Sequence, residues 1–148
     1  MAGKKQVKVK TVWQDGIAFE ASNEAGQTIF IDSPIAEGGP KGPSPMQLVL
    51  MGLAGCTAMD VISILKKKRQ EVTGFEVNAV ADRAPEHPKY YTDIELEFVV
   101  RGRNIKPEAV ERAIELSETR YCSATANLKP TSNIFSRYRI EEDGVEEG

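Results

Sequence analysis

Histidine and cysteine are scarce in this 148-residue chain: there is one histidine, there are two cysteines, and no Cys-x-x-Cys pair occurs. A structural zinc site would need all three residues together with a carboxylate, so no metal centre is expected. A Ser-His-Asp or Cys-His hydrolase would have to take His87 as its base. That residue lies in Pro85-Glu86-His87-Pro88, which reads as an exposed loop. A basic excess is lacking too, with 19 Lys and Arg against 22 Asp and Glu and a formal charge of −3. Such a balance gives no electrostatic footprint for nucleic acid or an anionic membrane. The N-terminus carries positive charge without an apolar stretch behind it, so no signal peptide is expected. The cytoplasm, where thiols stay reduced, is the expected location.

What is present fits one domain spanning 1–148. Gln6–Trp13 alternates, with Val7, Val9, Thr11 and Trp13 on one face and Lys8 and Lys10 on the other, the period of a half-buried strand. Asp15-Gly16 turns into a second strand over Ile17–Ala21, and Asn23–Gly26 turns into a third over Thr28–Ile31. The stretch from Gly38 to Pro45 is dense in Gly and Pro and reads as a loop, with Ser44 as N-cap and Pro45 as the first helical residue. Further on, Val72–Ala81 and Tyr91–Val100 alternate. Pro107 opens a second helix to about Tyr121, with Val110, Ile114, Ser117 and Tyr121 on one stripe and Glu108–Arg112 as an i,i+4 pair. Ser132–Ile140 is a last strand, and an acidic tail from about Glu141 reads as a solvated end. Grouped strands in the order βββ-α-ββ-α-β point to an α+β fold with antiparallel sheets.

The first helix is the unusual element. From Met46 to Leu65, 14 of 20 positions are apolar, and Lys66-Lys67-Lys68-Arg69 closes the run with cations that suit a helix C-terminus. Asp60 and Gln47 inside the run and amphipathic strands on both sides argue against a membrane span, because an ionised Asp near mid-bilayer costs ~2.5–3.5 kcal/mol. A helix apolar all round must be covered by protein. At ~1.5 Å per residue it spans ~36 Å, too long for one sheet and one short helix to wrap, so a homodimer burying two such helices is expected.

Cys56 lies inside this helix, in Gly55-Cys56-Thr57, eleven residues past Pro45 and outside the reach of the helix dipole. Gly52, Leu53, Met59, Asp60 and Ser63 share its face. Gly52 and Gly55 each cost ~0.5–1 kcal/mol relative to Ala, a sacrifice understood where a backbone or a substrate approaches closely. Taken alone, these residues favour a buried structural cysteine beside a packing glycine pair over a working thiol. Cys122 follows the second helix, in Tyr121-Cys122-Ser123. A sulfenic acid formed on one cysteine would condense with a nearby second one.

Gly42-Pro43-Ser44-Pro45-Met46-Gln47-Leu48, Gly55-Cys56-Thr57-Ala58-Met59-Asp60-Val61 and Tyr121-Cys122-Ser123 resemble the OsmC/Ohr family of thiol-dependent hydroperoxide reductases, in detail its YhfA-like branch. The match in element order runs from about Lys8 to Ile140. The resemblance implies an intertwined homodimer with two long central helices and sites at the subunit interface. It implies Cys56 as peroxidatic cysteine, Cys122 as resolving cysteine, organic hydroperoxides as substrates, an external thiol reductant, and no metal or organic cofactor. Family members known as peroxidases place a Glu ten residues before the peroxidatic cysteine, where this chain has Met46, and bring in an Arg from ahead of the first helix. No Arg precedes Arg69 here, and Lys41 is the nearest cation. The alternative is a dimer of the same fold that binds an apolar small molecule or senses redox state without turnover.

Overall fold

A computed structural model describes residues 3–144. The contacts of the chain fall into two compact units, 1–49 and 50–148, divided inside the first helix.

In the first unit, β1 (Val9–Asp15), β2 (Ala18–Asn23) and β3 (Thr28–Ile31) form an antiparallel meander in the order β1-β2-β3. The register sets Thr11 opposite Ala21 and Trp13 opposite Phe19. Gly16 makes the first turn with φ +53°, a conformation that disfavours any Cβ, and its carbonyl accepts the Trp13 indole N–H at 2.9 Å. The apolar residues that alternation assigns to an interior lie open instead: Val9 is 71% and Trp13 63% exposed. A single layer of sheet has two faces, and within this unit the apolar one has no second layer packed on it.

The Gly/Pro loop returns along β3. A Cβ on Gly42 would stand 2.0 Å from the Phe30 carbonyl oxygen, so only glycine allows the approach. Beside it the Asp32 N–H donates to the Pro43 carbonyl at 3.1 Å. The helix then starts as its sequence predicts. The Gln47 N–H donates to Ser44 Oγ at 3.2 Å while the Ser44 N–H donates to Gln47 Oε1 at 2.8 Å. This reciprocal pair satisfies two of the amide groups that a helix start leaves without partners.

The second unit holds the body of α1 (Pro45–Lys67), then β4 (Glu71–Arg83), β5 (Tyr91–Arg103), α2 (Pro107–Leu116), a π-helical turn (Ser117–Tyr121), α3 (Ser123–Leu128) and β6 (Asn133–Glu142). Its sheet has the order β4-β5-β6. β4 and β5 form the expected antiparallel hairpin, but β5 and β6 pair parallel, which corrects the wholly antiparallel expectation. The helical connection from α2 through α3 carries the chain back to the end of the sheet where β5 began, and such a crossover makes a parallel pair. On β5, Ile94, Leu96, Phe98 and Val100 are fully buried, and Phe98 stacks on Phe75 with ring centroids 6.4 Å apart.

The other face of this sheet carries a lattice of ion pairs. Arg137 bridges Glu95 and Glu97, Arg139 bridges Glu97 and Glu141, and Arg101 bridges Glu76 and Glu141. That lattice corrects the reading of an acidic tail from Glu141. Glu141 and Glu142 are strand residues, drawn in by Arg101 and Arg139 and by the Asn104 amide, which donates to Glu142 at 2.7 Å. The remainder of that tail, 145–148, lies outside the described residues.

Among the described residues, α1 alone is long and apolar enough to cross a membrane. In a single chain one face of it is buried and the rest is open. Leu53, Thr57, Val61 and Leu65 form one buried stripe at four-residue spacing, while Met51 is 56% and Met59 73% exposed.

Candidate active site

Cys56 sits one residue before Thr57, at the border of the buried stripe of α1, and is half-buried. Cys122 comes from the far end of α2. That helix opens on Pro107 and buries Ala109, Val110, Ala113 and Ile114. It does not continue regularly to Tyr121 as the periodicity predicts. At Ser117 it widens into a π turn, in which the Cys122 N–H donates five residues back to the Ser117 carbonyl at 2.8 Å. The extra residue in this turn rotates the later positions about the helix axis, so Ser117 stays fully buried while Tyr121, expected on the same stripe, is 52% exposed. Arg112, expected to pair with Glu108, pairs with Glu115 at 3.3 Å, an i,i+3 contact on the outer face.

At Cys122 the backbone leaves the helical region (φ −76°, ψ 103°) and re-enters it at once as α3, a helix that the sequence pattern does not predict. The sulfur of Cys122 is the N-cap of α3, accepting the Thr125 N–H at 3.4 Å. Burial pushes the Cys122 thiol above the ordinary cysteine range, against the lowering effect of the Thr125 contacts; the facing Cys56 side chain raises it further. The structure thus brings the two cysteines of the chain together. It leaves Cys122, 4% exposed, as a protonated thiol at neutral pH and Cys56 as the more open partner.

Three polar residues tie the elements carrying these thiols. Ser117 Oγ donates to Asp60 Oδ2 at 2.9 Å and lies 2.8 Å from Thr57 Oγ1. Of the three, the sequence marks Asp60 only as a neighbour of Cys56, and Ser117 only as a stripe position. The available signal is a hydroxyl on each buried stripe, Thr57 on α1 and Ser117 on α2, since buried hydroxyls need partners. One turn beyond Cys56 a cavity of about 590 Å³ opens, with Met59, Ile64, Leu116 and Tyr121 as apolar walls, Asp60 on one side and Lys67 and Lys68 at the end of α1.

His87 is exposed in the loop between β4 and β5 and is not among the groups that face the Cys122 sulfur. The Lys41 ammonium is engaged by Asp15 at 3.2 Å within the first unit, and the Lys41 N–H donates to Asp32 Oδ2 at 3.0 Å. Among the described residues, no group of three or more His, Cys, Asp and Glu is arranged to hold a metal ion.

A three-stranded meander, a long apolar helix, and a mixed sheet whose crossover carries a cysteine define an α+β class with a facing thiol pair. The family described as OsmC-like protein matches residues 38–135. The curated protein YhfA of Escherichia coli is 42% identical over 135 residues, covering 91% of this chain and 97% of its own length. A hypothetical protein from Aquifex aeolicus has a solved structure matching with a TM-score of 0.84 at 31% identity, over 95% of this chain and 99% of that one. The organic hydroperoxide resistance protein OhrB of Bacillus subtilis shares the fold with a TM-score of 0.63 at 18% identity, over 91% of this chain and 98% of its own. The chain belongs to the OsmC-like family, and it shares the fold of OhrB.

Proposed function

We propose that this protein reduces organic hydroperoxides, with Cys56 as the peroxidatic and Cys122 as the resolving cysteine. The observation that carries the reading is the facing of an open and a buried thiol, contributed by two different elements of one unit. The Cys56 thiolate attacks the distal oxygen of ROOH, the O–O bond breaks, and the alkoxide leaves and takes a proton to become ROH, with Cys56 now a sulfenic acid. The Cys122 thiol then attacks the Cys56 sulfur, and the hydroxyl leaves with the thiol proton as water. A dithiol reductant returns the Cys56–Cys122 disulfide to two thiols. No metal or organic cofactor enters this cycle. Burial makes Cys122 the poorer first nucleophile, which leaves the attack on hydroperoxide to Cys56.

The working form is an intertwined homodimer in the cytoplasm. Its support is the open apolar surface of α1, the exposed apolar side chains of β1, and the space at Gly52 and Gly55, where a Cβ would meet nothing within 4 Å beyond the helix's own backbone. A second copy of the chain would occupy that space.

A second reading, a ligand-binding or redox-sensing dimer without turnover, is favoured by Met46 at the position where peroxidatic relatives carry Glu. The engagement of Lys41 by Asp15 and the apolar walls of the cavity below Cys56 also favour it. The two readings part in a Cys122→Ser variant exposed to cumene hydroperoxide in the presence of dimedone. A dimedone adduct on Cys56, formed in proportion to hydroperoxide, supports the peroxidase. An unmodified Cys56, with a carried ligand detected by native mass spectrometry of fresh protein, supports the second reading.

A further inference from the structure

The thiol pair depends on a register between two helices, and two side-chain hydrogen bonds from α1 to the π turn meet at one hydroxyl. Asp60, as a carboxylate, only accepts. Ser117 has a single O–H and donates it to Asp60, so the Thr57 hydroxyl must donate to Ser117 Oγ. The chain Thr57→Ser117→Asp60 is therefore directional and complete at Ser117. Thr57 and Asp60 follow Cys56 by one and four residues, so they lie on the same turn of α1 as the attacking thiol. Through its main chain, Ser117 accepts the Cys122 N–H and closes the π turn that delivers the second thiol. Thr57 is 1% and Ser117 0% exposed, so water does not reach these two hydroxyls.

From this we infer that Ser117 is a positioning residue for disulfide formation: its side chain fixes the Cys56 turn, its carbonyl fixes Cys122, and the two thiols are held in bonding register. A protein without the clamp keeps the fold but loses effective concentration between the thiols, because packing alone leaves the π turn free to shift while hydrogen bonds fix direction. The inference rests on the thiol pairing proposed above and does not require that hydroperoxide be the oxidant.

The test is the equilibrium Cys56–SH + Cys122–SH + GSSG ⇌ Cys56–S–S–Cys122 + 2 GSH, in which two electrons and two protons pass from the protein to glutathione. Wild type, Ser117→Ala and the double variant Thr57→Val/Ser117→Ala are equilibrated at a series of glutathione ratios, and their thermal stability is measured in parallel. Ser117→Ala strands the buried Thr57 hydroxyl and should lose stability. The double variant removes both hydroxyls and should regain it. The expected result is an effective thiol concentration at least tenfold below wild type in both variants, including the one whose stability has recovered. A wild-type value in either variant, or a value that recovers together with stability, overturns the inference. A parallel dimedone trap on the Cys122→Ser protein reports the hydroperoxide step separately, so failure of the peroxidase reading leaves the glutathione result standing.

Discussion

Cys122 has a structural duty besides its chemistry, and the two are separable by the choice of substitution. Its sulfur accepts the Thr125 N–H at 3.4 Å and caps α3, in a site only 4% exposed. In Cys122→Ala the Thr125 amide loses its acceptor and cannot turn to water, a loss of about 0.5–2 kcal/mol for an N-cap removed. The missing sulfur also leaves a small void, which adds to the cost. Cys122→Ser keeps an acceptor at the cap, and Ser is among the most favoured N-cap residues. A difference of about 1.5 kcal/mol between the two variants corresponds to roughly 3–6 °C in Tm for a chain near this length. Urea and thermal unfolding of both reduced variants at one protein concentration check this, with Ser within about 0.5 kcal/mol of wild type and Ala below it. Equal stability of the two variants would refute the capping role and the burial argument that accompanies it.

Three other outcomes are expected from the same geometry. Replacing Gly52 or Gly55 with Leu meets open space in the single chain and improves helix propensity by up to about 1 kcal/mol, so each variant should stay helical by circular dichroism while its sedimentation shifts from dimer to monomer. Phe98→Ala removes a fully buried ring stacked on Phe75 and should cost about 3–5 kcal/mol in urea unfolding. The Lys41 and Ser33 amides hold the Asp32 carboxyl below its ordinary value. Its folded pKa is depressed, so its contribution to stability is present above the unfolded value near pH 4 and is lost as pH falls through the folded value. Asp32→Asn should flatten that part of the acid-denaturation profile measured by fluorescence.

Local rules carry much of the fold. The alternation at Tyr91–Val100 locates β5 because one face is buried and the other is wet, and Ser44-Pro45 with Gln47 locates the start of α1 because a capping box is local chemistry. Residues that depend on distant partners are not readable in that way. The parallel pairing of β6 is set by the crossover, and the place of Glu141 in a strand is set by Arg101 and Arg139, forty and two residues away. The π turn is hidden in the sequence because Ser117 and Tyr121 fit a regular helical stripe, and only the buried contact of Ser117 with Thr57 and Asp60 shows why the turn widens there. Both cysteines are recognisable in the sequence as the candidate pair for the proposed chemistry. That they face each other depends on packing across more than sixty residues, which spacing cannot give.

The account stands on Cys56 attacking hydroperoxide and Cys122 closing the disulfide. Its most direct test is titration of the reduced wild-type protein with cumene hydroperoxide, with thiol counting and peptide mapping at each point. One equivalent of hydroperoxide should consume both thiols and yield a Cys56–Cys122 disulfide within one chain. Two free thiols persisting in excess hydroperoxide would contradict it.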